Sequence, residues 1–345
     1  MPLLEDLAWS TAVDHTRWLA DRLGDHSKNT VADVVPAGFD AYARVLHPAK
    51  DATPGGRRLI RWRDVAAWSG RPMEPEAPFH AVAIPQEPVA AAPPWSGQGP
   101  CQGTLAVADT RALCAVVRRH TRTPEDCWFC LWDGYGWTGV PLTSRDGDGD
   151  GGAVVRTDDP IPVAVRAGPR VELPDRSYLL YRGPVECALV EWGERSHHQT
   201  ANLWWPEDRA WCVASEIDLA WTYVGGSVAL VRALVGNPGL EAVEVAPDSP
   251  VSVVEPRISR LVVPAVEALL RDGEATLVTT VGSVEAELQL PRRAGRGSLR
   301  YQTRSVLGHR SSGTHAVAVT PGDRSELRRD VTGHLEQAVV SLVGD

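Results

Sequence analysis

The residue types best suited to chemistry lie between residues 193 and 218, in the sequence GERSHHQTANLWWPEDRAWCVASEID. Two carboxylates, Glu216 and Asp218, close a stretch of alternating residues, and in a strand they would share one face about 7 Å apart. His197 and His198 come before them in the same segment. Paired carboxylates near histidines are typical of acid–base catalysis, so these four residues predict a hydrolase or transferase pocket as one alternative.

The same segment also favours a site that binds without catalysing. Trp204 and Trp205 are expected to be exposed, and with Glu216 and Asp218 they would line a pocket for a cation or another polar ligand. The opposing interpretation places both carboxylates at a sheet edge in solvent. A nucleophilic pair of Cys212 with one of the histidines is disfavoured, because a small thiol in such a strand is expected to be buried.

A second candidate is the C-x-x-C motif of CWFCLWDGYGW, at residues 127–137. A zinc knuckle needs both thiolates on one side of a tight turn, and a thioredoxin-type motif must open a helix. The glycines oppose a helix, and residues three apart in a strand point to opposite faces. We therefore predict a central core strand that ends at Asp133-Gly134. Zinc binding through Cys127 and Cys130 is the weaker alternative.

Two charged segments have structural interpretations. DGDGDGG, at residues 146–152, resembles the start of an EF-hand loop, but the twelfth position holds Thr157 where calcium needs a bidentate Glu. This predicts a flexible acidic loop on the surface. No Walker loop, G-x-S-x-G or H-E-x-x-H motif occurs, so we predict no cofactor and no metal. The tail carries a basic cluster, predicted as an exposed strand and turn with partner docking as the alternative, at Arg292, Arg293, Arg296, Arg300 and Arg304.

The elements that position these residues follow from periodicity and from Gly and Pro stop signals. In the front, helices are predicted at 11–24, 61–70, 109–121, 184–192 and 225–236, with strands at 39–48, 177–183, 209–221 and 240–247. In the tail, helices at 257–271 and 323–342 flank strand-like stretches at 275–290, 298–307 and 314–320. The fold class is α+β. A mixed, largely antiparallel sheet with flanking helices forms a front domain (1–245), and a linker (246–256) leads to a smaller α+β domain (257–345).

Composition limits the function. The 345 residues are 43% hydrophobic and 23% charged, as in globular proteins. The formal net charge of −9 argues against a nucleic-acid partner. The acidity belongs to the front, because residues 251–345 hold 12 basic and 11 acidic side chains. The N-terminus lacks signal-peptide features, and no run reaches the about 18 apolar residues of a membrane span, so we expect a cytoplasmic chain without membrane contact.

Three phrases, CWFCLWDGYGW, SYLLYRGPVECAL and NLWWPEDRAWCVASEIDLAWTYVGGS, resemble in content and order a family of uncharacterised actinobacterial proteins. The resemblance covers the front domain and implies no activity, cofactor or catalytic residue. The mixed layout is also comparable with that of the SUKH-type immunity proteins, although their acidic, Gly-rich motif is not evident here. The leading hypothesis is a non-enzymatic binding protein with a protein partner, and an immunity-like role is one form of it.

Overall fold

The computed structural model describes residues 6–24, 29–50, 58–85, 89–95, 99–135, 161–174, 176–190, 199–251, 256–279, 282–290, 295–305, 310–319, 325–340 and 342. The chain divides into two compact units. The first unit comprises residues 1–47 and 102–251, and the second comprises residues 48–101 and 252–345. Both contain helices and antiparallel sheets, which confirms the predicted α+β class. The domain bounds given above stay a prediction.

The strands of the described residues are, in chain order, β1 (Ala8–Trp9), β2 (Ala41–Leu46), β3 (Ala49–Lys50), β4 (Leu59–Ile60), β5 (Cys127–Trp132), β6 (Val171–Leu173), β7 (Arg176–Gly183), β8 (Leu203–Pro206), β9 (Cys212–Ala214), β10 (Trp221–Gly226), β11 (Ala242–Val245), β12 (Glu274–Thr279), β13 (Gly282–Gln289), β14 (Gly295–Ser305) and β15 (Arg310–Val319). The predicted strands at 39–48, 177–183 and 240–247 correspond to β2, β7 and β11. The stretch 275–290 contains two strands, because Thr279 pairs back onto Gly282.

The α-helices are α1 (Arg17–Ala20), α2 (Val31–Val34), α3 (Trp62–Ser69), α4 (Phe79–Ala83), α5 (Val107–Val117), α6 (Val163–Arg166), α7 (Val228–Val235), α8 (Pro256–Asp272) and α9 (Ser325–Val340). Short 3-10 helices occur at Val13–Thr16, Arg118–His120, Asp133–Tyr135 and Val185–Leu189. Two predicted helices are therefore shorter than expected: 11–24 is a 3-10 turn followed by α1, and 184–192 is the 3-10 helix Val185–Leu189. None of the helices in the described ranges has the length and apolar character needed to cross a membrane.

The first unit is organised around an antiparallel sheet in the order β1-β7-β5-β8-β9-β10-β2-β11, with β6 added on β7. Its main core lies on one face, where residues of the sheet pack with Leu113 of α5 and Leu230 of α7. Cys127, Phe129 and Leu131 of β5 belong to this core and are 0% exposed. Burial of a Phe or Leu side chain stabilises a fold by about 1.5–3 kcal/mol, so β5 is a large contributor.

The tail part of the second unit is a meander of four strands in the order β12-β13-β14-β15. One face of this sheet is apolar, as at Val284, Leu288 and Leu299, which are all buried. The helices α8 and α9 pack on the sheet and bury Leu269 and Val331. Because side chains alternate along a strand, the residues between the buried ones must point to the opposite face.

Candidate functional site

Glu216 and Asp218 do not lie on a strand, contrary to the sequence prediction. The strand β9 ends before them, and the Leu219 N–H donates to the Glu216 carbonyl over 3.1 Å, which closes a turn. Gly103 holds this turn, because its N–H donates to the Leu219 carbonyl over 2.9 Å. A Cβ on Gly103 would lie only 2.9 Å from the Ile217 Cα. This close approach of the Gly103 and Ile217 backbones ends the strand. The alternation of residue types in the sequence does not predict such a contact.

The two carboxylates nevertheless meet on one cation. The Arg176 Nη2 atom, at the start of β7, lies 2.7 Å from the Glu216 carboxylate and 3.3 Å from that of Asp218. The guanidinium carbon also lies 5.0 Å from the ring centroid of Trp132. Burial lowers the pKa of Arg176, but the hydrogen bond to Glu216 and the charges of Glu216, Tyr178 and Asp218 together outweigh it and leave the pKa above its usual value. The arrangement acts as an ion pair that fastens β7 to the turn.

The space beside Glu216 is small. The cavity that Glu216 lines with Ser215 and Tyr178 has a volume of about 20 Å³, which suits a single water molecule. His197 and His198 lie outside the described residues, as does the EF-hand-like segment 146–152. The acid–base pocket therefore stays a prediction, to which the described residues contribute two carboxylates already bound to an arginine.

The expectation that Trp204 and Trp205 are exposed is wrong, because their exposed fractions are 3% and 1%. The ring of Trp204 stacks on Phe129 with centroids 6.1 Å apart and meets Trp211 edge-on at 5.2 Å. The ring of Trp205 meets Trp18 edge-on at 5.7 Å. Their strand, β8, is paired on both sides, with β5 and β9, and both of its faces are covered. Neither indole ring is therefore accessible for the ligand-binding role that the sequence predicted.

The C-x-x-C motif lies in a core strand, as predicted. Cys127 and Cys130 are both 0% exposed, and their strand pairs with β7 and β8. Burial raises the pKa of both thiols far above the usual range, so they stay protonated at neutral pH and offer no thiolate to a metal. Among the described residues, no group of three or more His, Cys, Asp or Glu side chains is placed to hold a metal ion.

A chain of buried hydrogen bonds, which periodicity did not indicate, crosses the sheet of the first unit. The His47 Nε2 atom lies 2.8 Å from the Thr222 Oγ1 atom, which lies 2.7 Å from the Ser215 Oγ atom. All three residues are at most 5% exposed. The chain satisfies polar atoms that burial would otherwise leave costly, and it ties β2 to β10 and to the end of β9. Polar residues at buried strand positions are the sequence signal that would have found it.

The outward face of the tail sheet is charged and exposed. We call it the charged face and define it by its exposed charged side chains, which are Glu274, Glu285 and Glu287 on β12 and β13 and Arg300, Arg304 and Arg310 on β14 and β15. Two shallow depressions on it have volumes of about 620 and 610 Å³. Within the part of the chain that the structure describes, no ion pair joins these acids to these arginines.

The predicted basic cluster of the tail contributes to this charged face. Arg300 and Arg304 are exposed on β14, as the sequence predicted. Arg296 lies on the same strand, whereas Arg292 and Arg293 lie outside the described residues. The sequence did not indicate that the neighbouring strands bring glutamates beside these arginines, because the strand order is needed to see it.

Comparisons with known proteins add no family or activity to these observations. No family model, no curated protein and no solved structure matches the chain. The candidate sites are therefore weighed by geometry and charge. By that measure the charged face is open to a partner, whereas the carboxylates of the first unit are occupied by Arg176 and the indoles of β8 are buried.

Proposed function

We propose that this chain is a non-enzymatic protein-binding protein and that the charged face is its binding surface. One observation carries the proposal: three exposed glutamates and three exposed arginines occupy separate halves of the face, which adjoin where Glu287 lies opposite Arg300, and no ion pair joins them among the described residues. Charges arranged in this way give specificity and faster association when a partner presents the opposite pattern. An immunity-like role, with a toxin as the partner, is one form of this proposal.

A protein partner fits this surface better than other classes do. The phosphates of a nucleic acid would be attracted to the arginines of β14 and repelled by the glutamates of β13, since both kinds of charge share one face. The enzymatic alternative has less support, because Glu216 and Asp218 already contact Arg176 and the cavity beside them suits one water molecule.

Affinity capture from the native host tests the proposal. We expect tagged full-length chain to capture a protein partner at low salt, and we expect the variant Arg300→Glu/Arg304→Glu to capture at least about tenfold less of it, because two attractive contacts become repulsive. The matched control is Arg111→Glu/Arg232→Glu, which makes the same charge change at exposed residues of the first unit. Equal capture by both variants would contradict the charged face as the binding surface.

A further inference from the structure

We infer that the partner at the charged face is a second copy of the same chain, and that the two copies form a two-fold symmetric dimer through it. The inference rests on the proposed function, because it takes the same surface and names its occupant. The acids occupy one half of the face and the arginines the other half. A surface divided in this way is complementary to itself once it is turned over, as an interface between identical copies requires.

Like charges at opposed strand positions favour a binding partner that carries the opposite charges. Glu274 lies directly opposite Glu287 across β12 and β13, and Arg304 lies directly opposite Arg310 across β14 and β15. Like charges at directly opposed positions on one face weaken strand pairing. Glu287 is compensated within the sheet by Arg300, which lies directly opposite it across β13 and β14, whereas Arg304 lies between Ser283 and Arg310. An acidic group of a partner would therefore stabilise the Arg304–Arg310 pair most.

The strand order fixes how the second copy must lie. The acidic strands β12 and β13 stand on one side of the sheet and the basic strands β14 and β15 on the other. A two-fold axis parallel to the strands, between β13 and β14, places the acidic half of each copy over the basic half of the other. An axis across the strands would place acid over acid. Because Glu287 lies directly opposite Arg300 in the register of β13 and β14, only the first arrangement places Glu287 of one copy over Arg300 of the other, and it places Glu285 over Gln302.

The area of the charged face is sufficient for such a dimer and indicates how tightly the two copies bind each other. Four strands spaced about 4.8 Å apart and about eight residues long present roughly 500 Å² per copy. The total of about 1,000 Å² stands at the lower limit for a specific interface. The exposed residues of the face are polar or charged, such as Thr276, Gln302 and Ser312. We therefore expect a dissociation constant in the micromolar range with a strong dependence on salt.

The charge balance of the tail favours a copy of itself over a foreign protein of one sign. Residues 251–345 carry 12 basic and 11 acidic side chains, so the region is nearly neutral although its sheet face is strongly divided. A uniformly acidic or basic partner would match one half of the face and be repelled by the other half. A second copy matches both halves at once.

Sedimentation of the full-length chain tests the dimer. We expect wild type to dimerise at about 0.05 M NaCl. Its dissociation constant should rise at least about tenfold at about 0.5 M NaCl, because salt screens the attraction between the opposite charges of the two copies. The variants Arg300→Glu/Arg304→Glu and Glu285→Arg/Glu287→Arg should each be monomers, since β13 and β14 then carry only acidic side chains in the first variant and only basic ones in the second at the substituted and facing positions of the charged face. An equimolar mixture of the two variants should form a heterodimer.

Recovery of the heterodimer is the decisive result, because mere unfolding of a variant cannot restore association. The neutral variant Arg300→Gln/Arg304→Gln, with its thermal unfolding checked, should weaken the dimer without introducing repulsion. Arg111→Glu/Arg232→Glu should dimerise as wild type does. A wild-type monomer at every salt concentration, or a dimer that both reversals leave intact, would overturn the inference. If wild type is a monomer and capture of a foreign protein still depends on Arg300 and Arg304, the proposed function stands and only the second copy is rejected.

Discussion

Five cysteines, Cys114, Cys127, Cys130, Cys187 and Cys212, serve as small apolar side chains of the first unit. All five are buried, and the sixth, Cys101, is exposed. Burial raises the pKa of Cys114 to about 12 and that of Cys187 to about 11, so neither carries a thiolate at neutral pH. A cysteine of this kind contributes through packing, and its substitution should be felt in stability before it is felt in any reaction.

Cys130→Ser tests this packing role. The substitution places a hydroxyl where the thiol is 0% exposed, so we expect the free energy of unfolding to fall by about 1–3 kcal/mol in chemical denaturation. Cys130→Ala should cost less, because it adds no polar group. Cys101→Ser, at an exposed position, should change the free energy of unfolding by no more than about 0.5 kcal/mol. Stoichiometric zinc in wild type that Cys130→Ser loses would contradict the packing role.

At the scale of helices and strands, local periodicity was enough to predict most elements but not their neighbours. Alternation placed Cys127 and Cys130 on opposite faces of β5, and that prediction is confirmed. The local sequence was misleading at Trp204 and Trp205, which were expected to be exposed, because it does not show that β8 has a strand on each side and a covered layer on each face. Alternation failed at Glu216, where the contact that ends the strand comes from Gly103, more than a hundred residues earlier.

The turn between β8 and β9 is fastened by one carboxylate. Asp208 accepts hydrogen bonds from the Thr121 hydroxyl over 2.7 Å, from the Arg122 N–H over 2.8 Å and from the Ala210 N–H over 3.2 Å. Burial raises the pKa of Asp208, but these hydrogen bonds and the Arg122 charge outweigh it and bring the pKa below its ordinary value. The ionised carboxylate therefore stabilises the junction between this turn and the segment that precedes β5.

Asp208→Asn should lower the free energy of unfolding by about 1–2 kcal/mol at neutral pH, because an amide is a weaker acceptor than a carboxylate. Since the folded pKa lies below the unfolded one, the stabilisation is complete above the ordinary value of 3.8 and is lost as the pH falls through the folded pKa. The gap between wild type and variant should thus close below about pH 4 in denaturation series. Asp248→Asn, at an exposed site, should change the free energy of unfolding at neutral pH by no more than about 0.5 kcal/mol.

At the scale of the whole chain, each unit has an apolar core of its own. Leu131 belongs to the core of the first unit and Leu299 to that of the second, and both are 0% exposed. The net charge also differs along the chain, since residues 1–250 carry 23 basic and 33 acidic side chains, a net −10, and residues 251–345 carry +1. Separate cores predict that the two units unfold in separate cooperative steps.

Calorimetry of two leucine variants tests this. Leu131→Ala and Leu299→Ala each remove a buried side chain and should each destabilise one unit by about 2–5 kcal/mol. We expect two thermal transitions, of which Leu131→Ala lowers one and Leu299→Ala lowers the other. A single transition that moves by the same amount in both variants would show that the chain unfolds as one cooperative unit.

The pairing of β2 with β10 has a consequence for synthesis on the ribosome. His47 and Thr222, which hydrogen-bond across this pairing, are 175 positions apart in the chain. At about 5–20 residues per second, roughly 9–35 s pass between the translation of these two residues. During that interval β2 lacks β10 on one side and β11 on the other, because both are made later. The nascent chain therefore exposes an unpaired apolar strand for many seconds, and this strand is where we expect a ribosome-associated chaperone to bind.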